Sequence, residues 1–416
     1  MRRNTASVVP PGQNRPKRAA VLVQRLADQG MWSLAFFLFN LHAASTLSTE
    51  EFAALTVATS TGVIVAACVR AFAIDGRVIA GAKLSLSASA STSLATIAVS
   101  SGAGAVVATA SALVWIHLGA GGATGLIPVV AGLIVLADTP HYGLTMQGRY
   151  VRALSPAAVY LLAALIVLIV TLSSQEASVL LVWSVGLTAA AFVAWIASRG
   201  APGRGVTGLM IGVQTRLAAE SLYAALASQL GILILFLVSA PADTAGIRLA
   251  YSIVFAPVFS LIQGLTPLLL TRMVEPEDGQ PSSKRRVMRL WMSAGTTGVV
   301  VSGAIGAVLG FSVWEGTTFE NVLPFLIPVG ASMLGAFMLD AGLLDLRLRS
   351  HPRTPHRIRL LLVSVDLLVQ LIATLSFGTS GLTFALCAGF VIKAVATGWI
   401  FLNARRAAPT HPLETR

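Results

Sequence analysis

The sequence predicts an all-α polytopic membrane protein of about twelve transmembrane helices, and three observations predict it. Of the 416 residues, 55% are hydrophobic and only 11% are charged, whereas a soluble globular domain carries about 25% charged residues. The apolar residues come in runs of about twenty, the length that crosses the hydrocarbon core of a bilayer. Basic residues are concentrated in alternate connections between these runs, as the positive-inside rule requires.

The predicted spans follow from where the apolar runs begin and end. In chain order they are 26–47, 52–74, 89–116, 125–144, 153–172, 178–197, 217–239, 247–270, 290–313, 321–344, 358–377 and 382–402. A helix rises about 1.5 Å per residue, so about twenty residues reach from one side of the hydrocarbon core to the other.

The distribution of basic residues sets the topology. All Lys and Arg except Arg248 and Lys393 lie in the N-terminal segment, in a connection that follows an even-numbered span or within a few residues of that connection, or in the C-terminal tail. Both ends are therefore predicted to lie in the cytoplasm, in a multi-pass protein of the cell (inner or plasma) membrane.

Two basic residues depart from this distribution: Arg248 is assigned to an outer connection and Lys393 to the middle of the last span. The net charge of +12 indicates contact with membrane lipids of anionic headgroup; its spread over seven segments disfavours a nucleic-acid partner.

Repeated features predict two six-helix halves. Spans one and seven both open with Arg-Leu-Ala, at Arg25 and Arg216. Spans four and ten each contain a proline followed by an acid near the cytoplasmic end, and these pairs lie about 200 residues apart, as expected of an internal repeat. The predicted organisation is a basic cytoplasmic tail at 1–24, expected to be disordered, six-helix bundles at 25–200 and 201–404, and a cytoplasmic tail at 405–416.

Charged residues inside the spans are the candidate functional residues. A charge at mid-membrane costs about 2.5–3.5 kcal/mol on insertion scales, so such residues face a wet cavity or a partner. Span one carries a helical stripe of polar and aromatic residues that suits a cavity for a sugar or phosphate headgroup. Two alternatives stay open: intrahelical ion pairs at the starts of spans one and seven, and one buried pair between Asp366 and Lys393. Lys393, near mid-span, is the strongest single candidate for a functional cation.

Motifs for catalysis or cofactor binding are not found in the sequence. Cys68 and Cys387 fall inside spans without a partner at metal or redox spacing. The glycine-rich stretch at 119–125 lacks the lysine and hydroxyl residue of a phosphate-binding loop. The outer connections are too short to house a catalytic domain. No enzyme, metal site or cofactor is therefore predicted.

Several local patterns resemble one transporter family. The segment 27–34, together with Leu47-Ser48-Thr49-Glu50-Glu51-Phe52, resembles the first hairpin of bacterial polysaccharide-export flippases, which belong to the multidrug/oligosaccharidyl-lipid/polysaccharide exporter superfamily. The segments 138–154, 216–230 and 245–248 with Pro257 are similar to its fourth, seventh and eighth helices. His141-Tyr142 and Ser155-Pro156 depart from the family pattern, which leaves the substrate open.

This resemblance implies a flippase that moves a polyprenyl-diphosphate-linked oligosaccharide to the outer leaflet by alternating access, for cell-surface polysaccharide synthesis. The implied substrate-binding residues are Arg25, Arg216, Arg248, Lys393, Trp32 and Asn40. Acids would bind a coupling proton or sodium ion; these are Asp28, Glu220, Asp366, Asp138 and Asp340. Polysaccharide synthesis enzymes are the implied protein partners.

Three other functions compete with this interpretation. An ion-coupled multidrug exporter of the same superfamily would favour a cavity dominated by acids. A major-facilitator-type transporter is suggested by Asp75-Gly76-Arg77 with Gly81 and Lys83 after span two, although the central cytoplasmic loop at 198–216 is short for that class. A scaffold for envelope enzymes, without transport activity, would use the buried charges only to hold helices together.

Overall fold

Each predicted span has a helical counterpart in the computed structural model, which describes residues 18–77, 93–120, 125–173, 178–199, 211–254, 281–312, 321–349 and 353–406. The helices are α1 (Arg18–Thr46), α2 (Thr49–Arg70), α3 (Leu94–Ala120), α4 (Ile127–Met146), α5 (Tyr150–Ser173), α6 (Val179–Ser198), α7 (Ile211–Val238), α8 (241–254), α9 (Pro281–Ser312), α10 (Leu323–Arg349), α11 (353–377) and α12 (379–406).

Helix ends follow from local chemistry. The turn between α1 and α2 is closed by a capping box, in which the Ser48 hydroxyl accepts from the backbone N–H of Glu51 at 3.2 Å and the Glu51 carboxylate accepts from the backbone N–H of Ser48 at 3.0 Å. This satisfies two backbone donors that a helix start leaves open. Gly378, with φ of 55°, separates α11 from α12, because a left-handed residue ends one helix and reverses the chain.

Helix α2 ends in a single π-helical turn, Ala71–Asp75. Such turns are rare and occur mostly where function demands a local change of helix geometry. Here the turn lies at the cytoplasmic end of the span and packs against α7. It also turns the Asp75 carboxylate toward α4, where it accepts a hydrogen bond from the Tyr142 hydroxyl at 2.9 Å.

The helices pack in two groups. In the first, α1 packs on α5, α2 on α3 and α4, and α6 on both α4 and α5. In the second, α7 and α10 pack on the α11–α12 hairpin, and α9 packs on α10. Helices α2 and α7 join the groups, and the Ser221 hydroxyl on α7 donates to the Ala67 carbonyl on α2 at 3.0 Å. All twelve helices, in two halves of six, form a polytopic membrane protein.

Apolar side chains also cover the outside of the molecule, as expected of a chain in lipid. Val99, Val106 and Leu118 on α3 are 66–72% exposed, and no soluble protein gains from such a surface. Among the described residues, eight helices are long and apolar enough to cross a membrane, one of them being the whole α11–α12 hairpin. The protein therefore has many spans and lies in a membrane.

Two sequence-based expectations need correction. Residues 18–24, assigned to a disordered tail, form the first turns of α1, because Ala19 to Val23 extend the helical pattern beyond the apolar run. Arg248, assigned to an outer connection, lies inside α8 and is 4% exposed. Hydropathy started that span at 247, six residues after α8 begins, because Asp243 and Arg248 lower the local average. Arg248 was therefore counted with the connection before the span. Residues 1–17 and 407–416, the boundary at 200–201, and most of the predicted eighth span lie outside the described residues.

Close helix contact in the first half gives a testable prediction. A Cβ atom on Gly62 of α2 would lie 2.9 Å from the Ala131 carbonyl oxygen of α4. We expect Gly62→Ala to destabilise the protein by about 1–3 kcal/mol, as overpacking does. The measurement is thermal unfolding of the detergent-solubilised protein. Gly102→Ala on α3 is the control, because a Cβ there meets nothing within 4 Å and alanine favours the helix. Equal effects of the two substitutions would contradict the packing described.

Candidate functional site

Arg248 is a buried cation at the boundary between the two helix groups. It lies on α8, and its Nε donates to Oδ1 of Asn40 on α1 at 3.5 Å, a long hydrogen bond. Its guanidinium stands over the Phe36 ring, 5.2 Å from the centroid, in a cation–π geometry. Its Nη2 is buried without a hydrogen-bond partner among the described residues. An open donor of this kind costs free energy unless an acceptor reaches it.

The depth of this residue follows from its place in the helix. Arg248 is seven residues from the start of α8, and Asn40 is six residues before the end of α1. At about 1.5 Å per residue, each lies about 10 Å below the outer ends of the helices. Asn40 is fixed in turn, because its Nδ2 donates to the Phe36 carbonyl oxygen at 2.7 Å. Arg248 and Asn40, both predicted as substrate-binding residues, are thus brought together.

Asp28 pairs with His141, and not with Arg25 as one alternative held. Nε2 of His141 on α4 lies 2.7 Å from Oδ1 of Asp28 on α1, and both side chains are at most 3% exposed. Arg25 instead stands over the Tyr150 ring, 4.9 Å from the centroid. The short distance and the burial make the contact between Asp28 and His141 a charge-assisted one when the imidazole is protonated.

An aromatic stack holds the Asp28–His141 pair. The Trp32 ring lies on His141 with centroids 4.4 Å apart and also contacts Tyr160 at 4.9 Å. The Tyr160 hydroxyl accepts from Nε1 of Trp183 at 2.8 Å, and Trp183 stacks on Phe39 at 5.2 Å. Trp32, predicted to touch substrate, therefore packs inside the first half, where it orients the His141 ring. Whether it also contacts a substrate stays a prediction.

In the second half, Lys393 and Asp366 form a buried ion pair across the α11–α12 hairpin. Nζ lies 2.8 Å from Oδ2, with the side chains 9% and 2% exposed. Gly389, one turn before Lys393, leaves room for Asp366, since a Cβ there would collide with its Oδ1. One turn after Asp366, Gln370 donates to the Ala227 carbonyl of α7 at 3.0 Å. The alternative of a buried pair between neighbouring helices is thus the arrangement observed.

The remaining predicted acids lie in ion pairs near the cytoplasmic ends. Asp138 on α4 is 3.3 Å from Nε of Arg70 on α2, whose guanidinium stands over the Tyr142 ring. Asp340 on α10 is 3.6 Å from Arg359 on α11. These two pairs link neighbouring helices, so their acids have a structural partner in this conformation, and their role in ion coupling stays a prediction.

The pair at the start of α7 is more exposed. Arg216 lies 3.8 Å from Glu220, four residues on, and the arginine side chain is 54% exposed. This is the intrahelical pair that one alternative predicted, and an exposed pair of this kind contributes about 0.3–0.5 kcal/mol. The structure does not bring Arg216 to Arg248 or Lys393 in any described contact.

The sequence-based site omits several buried polar residues that contact it or its partners, among them His141, Tyr160, Trp183 and Gln370. His141 carried a signal, because it is a titratable residue one turn after Asp138 within an apolar span. Tyr160 and Trp183 carried none, since single aromatic residues are common in membrane helices. Their importance appears only when α5 and α6 meet α1 and α4.

Solved structures of transporters match this arrangement over nearly the whole chain. The inward-facing conformation of a MATE-family multidrug transporter of the MOP superfamily aligns with a TM-score of 0.64 at 13% identity, over 93% of this chain and 100% of the other. The outward-facing conformation of a MATE-family transporter gives 0.62, also at 13% identity, over 96% and 98%. The chain has the MOP-superfamily transporter fold. No protein-family model matches the sequence, and no curated protein matches it.

Two further structures broaden the comparison. The lipid II flippase MurJ, in an inward closed conformation, aligns with a TM-score of 0.60 at 10% identity, over 93% of this chain and 87% of the other. A MOP-superfamily transporter from Pyrococcus furiosus, described by a binding pocket of reverse polarity, gives 0.55 at 13% identity, over 94% and 96%. At these identities the likeness concerns the fold. That fold is the expected one, and not that of the major facilitator class.

The Lys393–Asp366 pair gives a prediction about the stability of the protein. Lys393→Met or Asp366→Leu alone leaves one charge buried without its partner, so each should destabilise the protein by about 3–5 kcal/mol. The double variant should recover most of that loss, because it removes both charges. Thermal unfolding in detergent measures all three variants. Additive losses in the double variant would show that the two residues do not act as a pair.

Proposed function

We propose that this chain is a membrane transporter that carries a polyprenyl-diphosphate-linked oligosaccharide from the cytoplasmic to the outer leaflet for cell-surface polysaccharide synthesis. One observation carries the proposal: a guanidinium, Arg248, is buried between α1 and α8 with Nη2 open to an acceptor. A diphosphate supplies charged oxygen acceptors in the geometry that a guanidinium fork binds best.

The neighbours of Arg248 support an anionic cargo. Asn40 accepts from Nε and so fixes one edge of the guanidinium while the other edge stays available. No carboxylate among the described residues lies within ion-pair distance of Arg248. A cationic drug would meet an uncompensated positive charge at this place, which disfavours the multidrug alternative. The MurJ structure supports a lipid-linked cargo because a protein with this fold is described as a lipid II flippase.

Arg248→Gln tests the proposal directly. The purified protein is placed in liposomes with a fluorescent polyprenyl-diphosphate oligosaccharide, and the labelled lipid that reaches an external membrane-impermeant reagent is measured over time. Loss of a charged hydrogen bond of about 1.5–3 kcal/mol predicts a flipping efficiency about 10- to 100-fold lower. Arg248→Lys should retain part of the activity, because it keeps the charge without the fork.

Arg357→Gln is the matched control, because that arginine is exposed at the start of α11 and should leave flipping unchanged. Unchanged flipping in Arg248→Gln would contradict the proposed role of Arg248. Dye export without any flipping would favour the multidrug alternative, and the absence of both activities would favour a scaffold. We also propose that three other basic residues bind the cargo, and each is replaced by glutamine in the same assay. They are Arg25, Arg216 and Lys393.

For the coupling ion, we propose a proton carried by the Asp28–His141 pair. The nearest partner of the Asp28 carboxylate is an imidazole nitrogen at 2.7 Å, whereas sodium prefers oxygen ligands, as hard cations do. Protonation changes the charge of this pair and with it the attachment of α1 to α4. Four other acids are weaker candidates for binding the coupling ion, because each has an arginine or lysine partner in this conformation. They are Glu220, Asp366, Asp138 and Asp340.

The choice between proton and sodium is measurable in the same liposomes. A pH gradient should change the flipping rate, whereas a sodium gradient at constant pH should not. His141→Phe should abolish the response to pH, because Asp28 then lacks a partner that exchanges a proton with it. The control is Glu50→Gln, at an exposed acid in the first turn of α2, which should keep the response. A rate that follows sodium alone would contradict proton coupling at this pair.

A further inference from the structure

A groove on the outside of the first half lies between the cytoplasmic ends of α3 and α6. Both helices pack on α4, and the space between them has a volume of about 460 Å³. The lining residues are Leu94, Ala95, Ala98, Trp195 and Arg199. This size lies within the range of small-molecule sites, which is about 300–1,000 Å³. Its position is separate from the α1–α8 boundary that the proposed transport path uses.

The walls of the groove are apolar and continue into the lipid-facing surface. Leu94 and Ala98 lie one turn apart on α3, and the adjacent Val99 is 72% exposed. Trp195 lies three residues before the end of α6, about 5 Å from the level of the helix terminus. Its ring packs against the cluster formed by Ala73, Ile74 and Ile97. A tryptophan at this depth is typical of the membrane–water interface.

Arginines surround the cytoplasmic mouth of the groove. Arg199 follows α6 directly and lines the groove. Arg152 on α5 donates from Nη1 to the carbonyl oxygens of Ala197 and Arg199 at 3.4 and 3.5 Å, so it lies beside Arg199. Partial burial and the positive charge of Arg152 lower the pKa of the Arg149 guanidinium. Arg152 and Arg199 therefore lie side by side at this mouth, and Arg149 lies near Arg152.

The two arginines at the rim have no acidic partner among the described residues. Neither Arg152 nor Arg199 forms an ion pair there, and both side chains are exposed to their surroundings. The cytoplasmic leaflet carries anionic lipids, and each nearby Lys or Arg contributes about 1 kcal/mol to the attraction. The groove thus combines an apolar wall at the depth of acyl chains with a cationic rim at the depth of headgroups.

We propose that this groove binds one anionic phospholipid of the cytoplasmic leaflet, with its phosphate between Arg199 and Arg152 and an acyl chain along Leu94, Ala98 and Trp195. A soluble phosphate would use the rim and leave the apolar wall bare. A zwitterionic lipid would bring its own positive group to a rim that is already positive. The bound lipid would also add contacts between α3 and α6, which meet through Trp195 and Ile97 and both pack on α4.

The experiment measures lipid binding to the purified full-length protein by native mass spectrometry, with phosphatidylglycerol and phosphatidylcholine of identical acyl chains as probes. We expect phosphatidylglycerol to bind more tightly than phosphatidylcholine. Arg152→Gln or Arg199→Gln should weaken its binding about fivefold each, and the double variant about thirtyfold. Arg357→Gln, an exposed arginine elsewhere on the cytoplasmic side, should leave this binding unchanged.

A second pair of variants tests the wall without changing charge. Ala98→Trp fills the groove and should abolish tight binding of phosphatidylglycerol, whereas Ala110→Trp, at another exposed alanine of α3, should not. Equal binding of the two lipids, or equal effects of the two tryptophans, would overturn the proposal. Displacement of the lipid by glycerol phosphate would also overturn it, since the rim alone would then be the site. Thermal unfolding of each variant checks that the protein remains folded.

Discussion

A charged group inside the hydrocarbon core must find a partner within the protein, because lipid offers neither water nor counter-ion. The described helices obey this constraint at nearly every buried charge. Asp28 meets His141, and Lys393 meets Asp366 at 2.8 Å. These contacts fix which helices lie beside one another. Arg248, which is 4% exposed and has no carboxylate partner among the described residues, departs from this pattern and is for that reason the most informative residue of the candidate site.

Helix α1 connects the two regions to which a function is proposed. Toward its cytoplasmic end, Asp28 holds it to α4, and toward its outer end Asn40 meets Arg248 on α8. The two contacts are twelve residues apart, about 18 Å along the helix axis. A change of charge at the first contact therefore acts on a rigid element that also forms the second. This supplies a physical route by which a proton at Asp28–His141 would alter the proposed cargo site.

Pairing and function are compatible in such a protein. Under the proposed alternating access, a charge that is paired in one conformation becomes available in another, as one site is exposed in turn to the two sides of the membrane. The exposed pair Arg216–Glu220 and the half-exposed Asp340 exchange partners at little cost. The pair Lys393–Asp366 is different, because separating two buried charges is expensive unless each gains a new partner, such as a cargo anion or a coupling ion.

The sequence by itself determined the spans, their direction and the all-helical class, because hydrophobicity, basic residues and capping motifs such as Ser48–Glu51 act over short stretches of chain. It also identified the charged residues that matter, though not their neighbours. Asp28 and His141 are 113 residues apart, and Asn40 and Arg248 are 208 apart. Only the tertiary structure decided these contacts, since they depend on how the helices pack and on no local pattern. For the same reason the sequence assigned Arg248 to a connection, because a charged residue near the end of an apolar run is typical of a loop. Only the packing of α8 shows that Arg248 is buried.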